Sequence, residues 1–207
     1  MRKAGVDDYR NFALDVLKIV TDRPVSFEVF ADELPLMEAQ ALEIASWGRN
    51  VNVKIPVTNT RGDSTAVLVR RLSAQGVAVN VTAMFTLDQV NEFVEVLHPD
   101  TPAILSVFAG RIADAGVDPV PIMAEAVEIM RAKPRAELLW ASPREVLNVV
   151  QADEIGCHII TITDDLVRKL PTLGKDLLTF SRETVAMFHR DASSARYAIE
   201  VAASAAE

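Results

Sequence analysis

Short β-branched runs alternate with longer segments of helical spacing along the whole chain. The runs fall at residues 25–30, 50–58, 77–85, 103–109, 137–142 and 159–163, and each predicts a strand. Between them apolar residues recur three or four apart. Residues 36–47 carry Leu36, Ala39, Leu42, Ile44 and Ala45, residues 64–75 carry Val67, Leu68, Leu72 and Ala74, and residues 87–97 carry Val90, Phe93, Val94 and Leu97. Residues 119–132 and 143–155 follow, each with proline near its first turn, where a missing N–H costs little. Further helices are predicted at 7–21, 174–189 and 192–206. Strands and helices in strict rotation mean parallel strands joined by right-handed crossovers. An open doubly wound sheet and a closed (β/α)8 barrel both satisfy that rule. No G-x-G-x-x-G or P-loop occurs, so a nucleotide-binding doubly wound sheet has no positive support. No linker divides the chain, and residues 1–207 read as a single (β/α) barrel domain that includes the helices at about 174–206.

Strands covered on both faces should be almost continuously apolar. Here nearly every strand carries polar residues toward its C-terminal end: Glu28, Lys54, Asn80 with Thr82, Ser106 and Ser142. Glu28 to Lys54 is 26 residues, Lys54 to Thr82 is 28, and Thr82 to Phe108 is 26. A barrel βα unit averages roughly 31 residues, so these positions recur once per unit at one height, the C-terminal mouth where barrel active sites lie. The two-residue pleat puts Asn52 and Lys54 on one face and Val51, Val53 and Ile55 on the other. The apolar face should meet the helices, and Lys54 should point inward. Desolvation there disfavours the ammonium form, and a neutral amine is what a Schiff-base nucleophile needs. A lysine held by Glu28 in a salt bridge satisfies the same pattern. Glu28 also fits a general acid/base or a positioner of water. Arg111 and Arg144 follow strand ends and suit a phosphate clamp beside a helix N-terminus, or else a solvated surface charge. Ser142, Pro143 and Glu145 have the spacing of a capping box.

Composition narrows the function classes. The chain of 207 residues holds 21 Lys and Arg against 29 Asp and Glu, a net charge of −8, which argues against a nucleic-acid partner. No apolar run approaches the roughly 20 residues that span a bilayer, and no signal peptide opens the chain, so no membrane association is expected. The lone Cys157 excludes an intrachain disulfide and reads as a thiol of a reducing cytoplasm. His98, His158 and His189 show no metal-ligand spacing, so neither metal nor other cofactor is expected.

Several blocks then resemble a known family in its own order. They are Val53-Lys54-Ile55-Pro56-Val57-Thr58, Asn80-Val81-Thr82-Ala83-Met84-Phe85, Ser106-Val107-Phe108-Ala109-Gly110-Arg111, Ala141-Ser142-Pro143-Arg144 and Gly156-Cys157-His158-Ile159-Ile160-Thr161-Ile162. The sequence resembles the transaldolase family, which includes short transaldolases and fructose-6-phosphate aldolases. The resemblance implies a (β/α)8 TIM barrel of class I aldolase type. It implies Lys54 as Schiff-base lysine for a ketose phosphate, passing a dihydroxyacetone unit to an aldose phosphate. Glu28 with Thr82 would hold the water that relays protons. Asn80, Ser106 and Phe108 would line the substrate channel, and Arg111, Ser142 and Arg144 would bind phosphate. Glutamate at 28 and phenylalanine at 108 resemble the transferase branch, whereas the aldolase branch usually carries glutamine and tyrosine. Sugar phosphates and further copies of the chain are the partners it implies. The family's L-D-T-A and T-T-N-P strands have no counterpart here, so about six strands and an N-terminally incomplete barrel are expected. Without that aspartate, a non-catalytic barrel remnant stays open beside the transaldolase and aldolase readings, and its two strand edges would be an aggregation liability.

Overall fold

The rotation of strands and helices is present in the computed structural model, which describes residues 5–199. Helix α1 (Tyr9–Ile19), capped by the Asp8 carboxylate on the Asn11 N–H, leads into β1 (Val25–Glu28). There follow α2 (Leu34–Ala45), β2 (Val51–Pro56), α3 (Ala66–Ala74), β3 (Val79–Met84), α4 (Leu87–Val96) and β4 (Ala103–Val107). Then come α5 (Ala109–Asp114), α6 (Pro119–Met130), β5 (Ala136–Trp140), α7 (Leu147–Glu154) and β6 (Ile159–Ile160). Among the described residues these six strands form one sheet, parallel throughout, in the order β1-β2-β3-β4-β5-β6. A doubly wound sheet reverses its order at a switch point. This sheet never does, and it curls as part of a barrel.

One hydrogen bond measures the curl. Asn80 on β3 donates to Ser26 Oγ on β1 at 3.0 Å, across the intervening β2. In a flat sheet, strands two places apart stand roughly 9–10 Å from each other. The convex face is dry. Val53, Ile55, Val79, Val81, Leu105, Leu138 and Trp140 are fully buried and pack with Met37, Leu68, Leu72, Phe93 and Met123 of the helices. Val53 and Ile55 are thus on the helix side and Lys54 between them is not, as the pleat predicts.

The edges of the sheet are blunted. Alternate β1 amides pair with β2, Val25 with the Asn50 carbonyl at 2.8 Å and Val29 with that of Lys54 at 3.1 Å. Side chains take two of the amides that alternate with these: Glu28 N–H donates to the Tyr9 hydroxyl at 2.9 Å, and Phe30 N–H to Gln40 Oε1 at 2.8 Å. Tyr9 itself is fixed among rings, with centroids 4.8 Å from Phe30, 5.7 Å from Trp47 and 6.1 Å from Phe27. At the other edge β6 is only two residues long. Both devices reduce the aggregation liability expected of open edges.

Two expectations change. Ser142 does not cap a helix: it adopts φ +59°, and α7 begins only at Leu147. The Asn148 carboxamide takes the amides instead, accepting from Arg144 at 2.7 Å and Glu145 at 3.1 Å. A short helix, α5, begins directly at the end of β4, where the sequence reading continued the strand to 109. The chain also divides into two compact units after Asp164. The second holds α8 (Asp164–Lys169) from its second residue onward, a 3-10 turn at Leu170–Thr172, and α9 (Leu177–Ser194). Asp176 caps α9 on the Thr179 N–H, and Leu177, Leu178, Val185 and Phe188 on it are exposed. Residues 200–206 of the last expected helix lie outside the described residues. No helix among the described residues is long and apolar enough to cross a membrane.

The Tyr9 hydroxyl supports the outer edge of β1, so Tyr9→Phe should lower the unfolding free energy by about 0.5–1.5 kcal/mol, the net worth of one hydrogen bond. Urea denaturation followed by circular dichroism reads it, and an unchanged midpoint would remove the capping role.

Candidate active site

The concave face of the sheet encloses a cavity of about 380 Å³, lined from β1 to β6. One wall is polar, with Ser26, Asn52, Lys54, Asn80, Thr82 and Ser106; the other is apolar, with Ile104, Leu139, Ala141, Ile159 and Phe108. Ser142 and Thr161 stand at strand ends in the same lining. Of the residues singled out in the sequence, the cavity brings together Lys54, Asn80, Thr82, Ser106, Phe108 and Ser142. Glu28, Arg111 and Arg144 are not among its lining residues. Sequence reading passed over Ser26, Thr161 and the apolar wall. Alternation could have found Ser26, two residues before Glu28, whereas the apolar wall looks like any core strand.

The register refines the expected row of equal heights. Glu28 pairs with Lys54 across β1 and β2, and Lys54 pairs with Asn80 across β2 and β3. Thr82 stands opposite Pro56, one inward-facing position beyond the lysine's level. Lys54 is partly buried, and among the described residues its Nζ makes no ion pair or hydrogen bond. No salt bridge to Glu28 is formed. Glu28 is exposed on the edge strand and shares with Lys54 a shallow hollow beside Tyr9, Phe12 and Val16.

Two kinds of polar group lie behind the lysine. Ser106 donates to Asn80 Oδ1 at 2.7 Å and Asn80 donates onward to Ser26, so one chain of side chains ties β4, β3 and β1 together. Thr82 differs: its Oγ1 is buried and has no partner among the described residues. An orphan hydroxyl on a cavity wall is a ready donor or acceptor for whatever fills the cavity. Its placement follows from a β-bulge between Val81 and Met84, where Ala83 takes φ +63°. Bulges re-aim side chains in this way, at the cost of local strain.

At the mouth, two neighbouring connections are stitched by side chains. Thr60 donates from its N–H and hydroxyl to the Asp32 carboxylate, both at 2.8 Å, and holds that carboxyl below its usual range. Arg61 grips Glu33 at 2.5 and 3.2 Å and lowers its carboxyl likewise. The connections after β4 and β5 are joined by backbone contact. Gly110 N–H donates to the Ala141 carbonyl at 3.2 Å, and a Cβ at Gly110 would fall 1.5 Å from the Ser142 carbonyl oxygen. Glycine is therefore obligatory there on steric grounds. Arg111 follows it and lies 5.3 Å over the Phe108 ring. Arg144 donates to the Gly110 carbonyl at 3.4 Å and to the Asp114 carboxylate. Among the described residues no three His, Cys, Asp or Glu side chains gather as a metal site requires.

The blocks quoted from the sequence therefore converge on one cavity: 53–58 on β2, 80–85 on β3, 106–111 at the β4–α5 junction, 141–144 after β5 and 156–162 around β6. The family described as transaldolase/fructose-6-phosphate aldolase matches residues 8–207. The chain belongs to this family. It is similar to a "Probable transaldolase" of Streptococcus equi subsp. zooepidemicus (strain MGCS10565), 33% identical over 180 residues, which span 85% of this chain and 80% of that one. A "Probable transaldolase" of Dehalococcoides mccartyi (strain ATCC BAA-2266 / KCTC 15142 / 195) is 32% identical over 161 residues, spanning 77% and 71%. Another of Streptococcus pyogenes serotype M5 (strain Manfredo) is 32% identical over 180 residues, spanning 85% and 80%. For a member of the transaldolase/fructose-6-phosphate aldolase family, the lysine-bearing cavity is the natural place to look for chemistry.

Because the Gly110–Ser142 contact leaves no room for a methyl group, Gly110→Ala should cost about 1–3 kcal/mol of stability, as overpacking does. A drop in thermal midpoint checks it, and wild-type stability would show that the two connections part freely.

Proposed function

We propose that the chain is a transaldolase-type enzyme of class I aldolase kind, with Lys54 as the Schiff-base residue. The observation that carries this is an amine that has no counter-ion among the described residues, set in a concave cavity that it lines together with the Thr82 hydroxyl, which has no partner among them either. Lys54 Nζ attacks the carbonyl carbon of a ketose phosphate, and loss of water gives an iminium. The bond beyond the next carbon then breaks, and its electron pair is drawn into the iminium to form an enamine. The proton of the departing hydroxyl passes to a base, and an aldose phosphate leaves. The three-carbon enamine, a bound dihydroxyacetone unit, then attacks the aldehyde carbon of an acceptor aldose phosphate. Water releases the new ketose from Lys54. A lysine iminium supplies the electron sink, so these steps need no bound cofactor.

The other residues fall into roles by position. Glu28, level with Lys54, and Thr82, one step beyond it, would hold the water that carries protons. Such a positioned acid/base contributes typically 10²–10⁴-fold. Asn80 and Ser106, rigid within their hydrogen-bonded chain, would line the channel beside the three-carbon unit. Phe108 would flank it from the apolar wall. Arg111, Ser142 and Arg144 would receive the phosphate at the rim. Guanidinium forks match phosphate oxygens in geometry as well as charge.

Borohydride reduction in the presence of fructose 6-phosphate should trap a covalent adduct on Lys54, located by peptide mass spectrometry. Lys54→Met should abolish it, and Glu28→Ala should slow turnover about 10²–10⁴-fold. No adduct, or one on another lysine, sinks the Schiff-base reading. Assay with and without an acceptor aldose phosphate then sorts the activities: product formation that needs the acceptor marks a transferase, and free dihydroxyacetone without it marks an aldolase.

A further inference from the structure

The two arginines at the rim are not equivalent. Arg111 lies over the Phe108 ring and has no carboxylate partner among the described residues. Arg144 is engaged twice, by Nε on the Gly110 carbonyl at 3.4 Å and by Nη2 on the Asp114 carboxylate. Only its Nη1 lacks a partner among the described residues. Both arginines hang on one junction. Gly110 precedes Arg111 and touches the Ser142 carbonyl, and Ser142 is two residues before Arg144. Asp114 is the last residue of α5, three on from Arg111. A single short helix thus carries one arginine of the rim together with the acid that neutralises the other.

The geometry points to Asp114 as the residue that sets the anion affinity of this rim. It occupies Arg144, so a phosphate ester arriving at the mouth meets one unengaged guanidinium and gains the second only by displacing a carboxylate. This rests on the reading of the cavity as a sugar-phosphate site. The competition follows from shape. A carboxylate and a phosphate present similar pairs of oxygens to the same N–H fork, so both cannot hold it fully. The Arg144 and Asp114 side chains are 49% and 52% exposed, which makes the pair a weak one in water, easily exchanged for a better anion. Asp114 then acts as a threshold. A dianionic phosphate displaces it more readily than a monoanion, and a neutral sugar gains nothing by doing so.

Calorimetric titration of the whole chain with inorganic phosphate, at ionic strength held constant with sodium chloride, tests this. Asp114→Asn should tighten phosphate binding about two- to fivefold, the range of an exposed ion pair. Adding Arg144→Gln on top should cancel that gain. Asp114→Ala serves as a second variant, because its side chain cannot hydrogen-bond the guanidinium at all. Unchanged affinity in both single variants, a gain that survives Arg144→Gln, or no phosphate binding in any variant overturns the proposal. The outcome is separable from the Schiff-base chemistry. Tighter phosphate without a Lys54 adduct sinks the enzyme reading alone, and an adduct with unchanged phosphate affinity sinks this inference alone.

Discussion

Every strand of this sheet serves two unlike surroundings, and the two-residue pleat is the constraint that divides its side chains between them. One set packs under helices and is dry; the other faces a cavity. A flat sheet with helices on both faces would have needed apolar residues throughout. Because the sheet curls, the concave set is free to be polar, and Ser26, Asn52, Lys54, Asn80, Thr82 and Ser106 follow from that freedom. The position of the lysine is thus a property of β2 as a whole. Val53 and Ile55 are held in the core on either side of it, so Lys54 cannot turn outward without burying charge among the helices.

The polar wall is not uniform, and the difference matters chemically. Ser106, Asn80 and Ser26 satisfy one another and join β4, β3 and β1 across β2, which fixes the curvature on which the cavity depends. Thr82 is left out of that chain by the bulge at Ala83. A fully satisfied network resists rearrangement, whereas an unsatisfied hydroxyl favours any ligand or water that can meet it. Rigidity and receptivity therefore sit on the same strand, two residues apart.

Much of this was legible beforehand. The pleat of 51–56 placed Lys54 inward, and the polar residue recurring once per βα unit marked the mouth. Strand existence was plain because β-branched runs are short and bounded. What escaped was fixed by contacts between segments. Nothing local says that Ser142 will take a left-handed φ, since that is set by the approach of Gly110 from another connection. Pairing of Arg144 with Asp114 depends on the same approach. The alternative of a Glu28–Lys54 salt bridge rests on two opposite charges in register, yet Glu28 lies on the edge strand, where water competes for it. The helix expected from 143 was delayed to Leu147 because the Asn148 carboxamide satisfies the amides that a serine cap would have taken.

The capping of β1 by Tyr9 and Gln40 also bears on how the sheet meets other chains. Side chains, unlike a neighbouring strand, can swing away one at a time. A segment arriving beside β1 must evict a phenol wedged among three rings before it can form ladder bonds at Glu28, then an amide before it can form them at Phe30. A strand could therefore pair with β1 only after both side chains have moved, which sets this edge apart from a bare row of open amides.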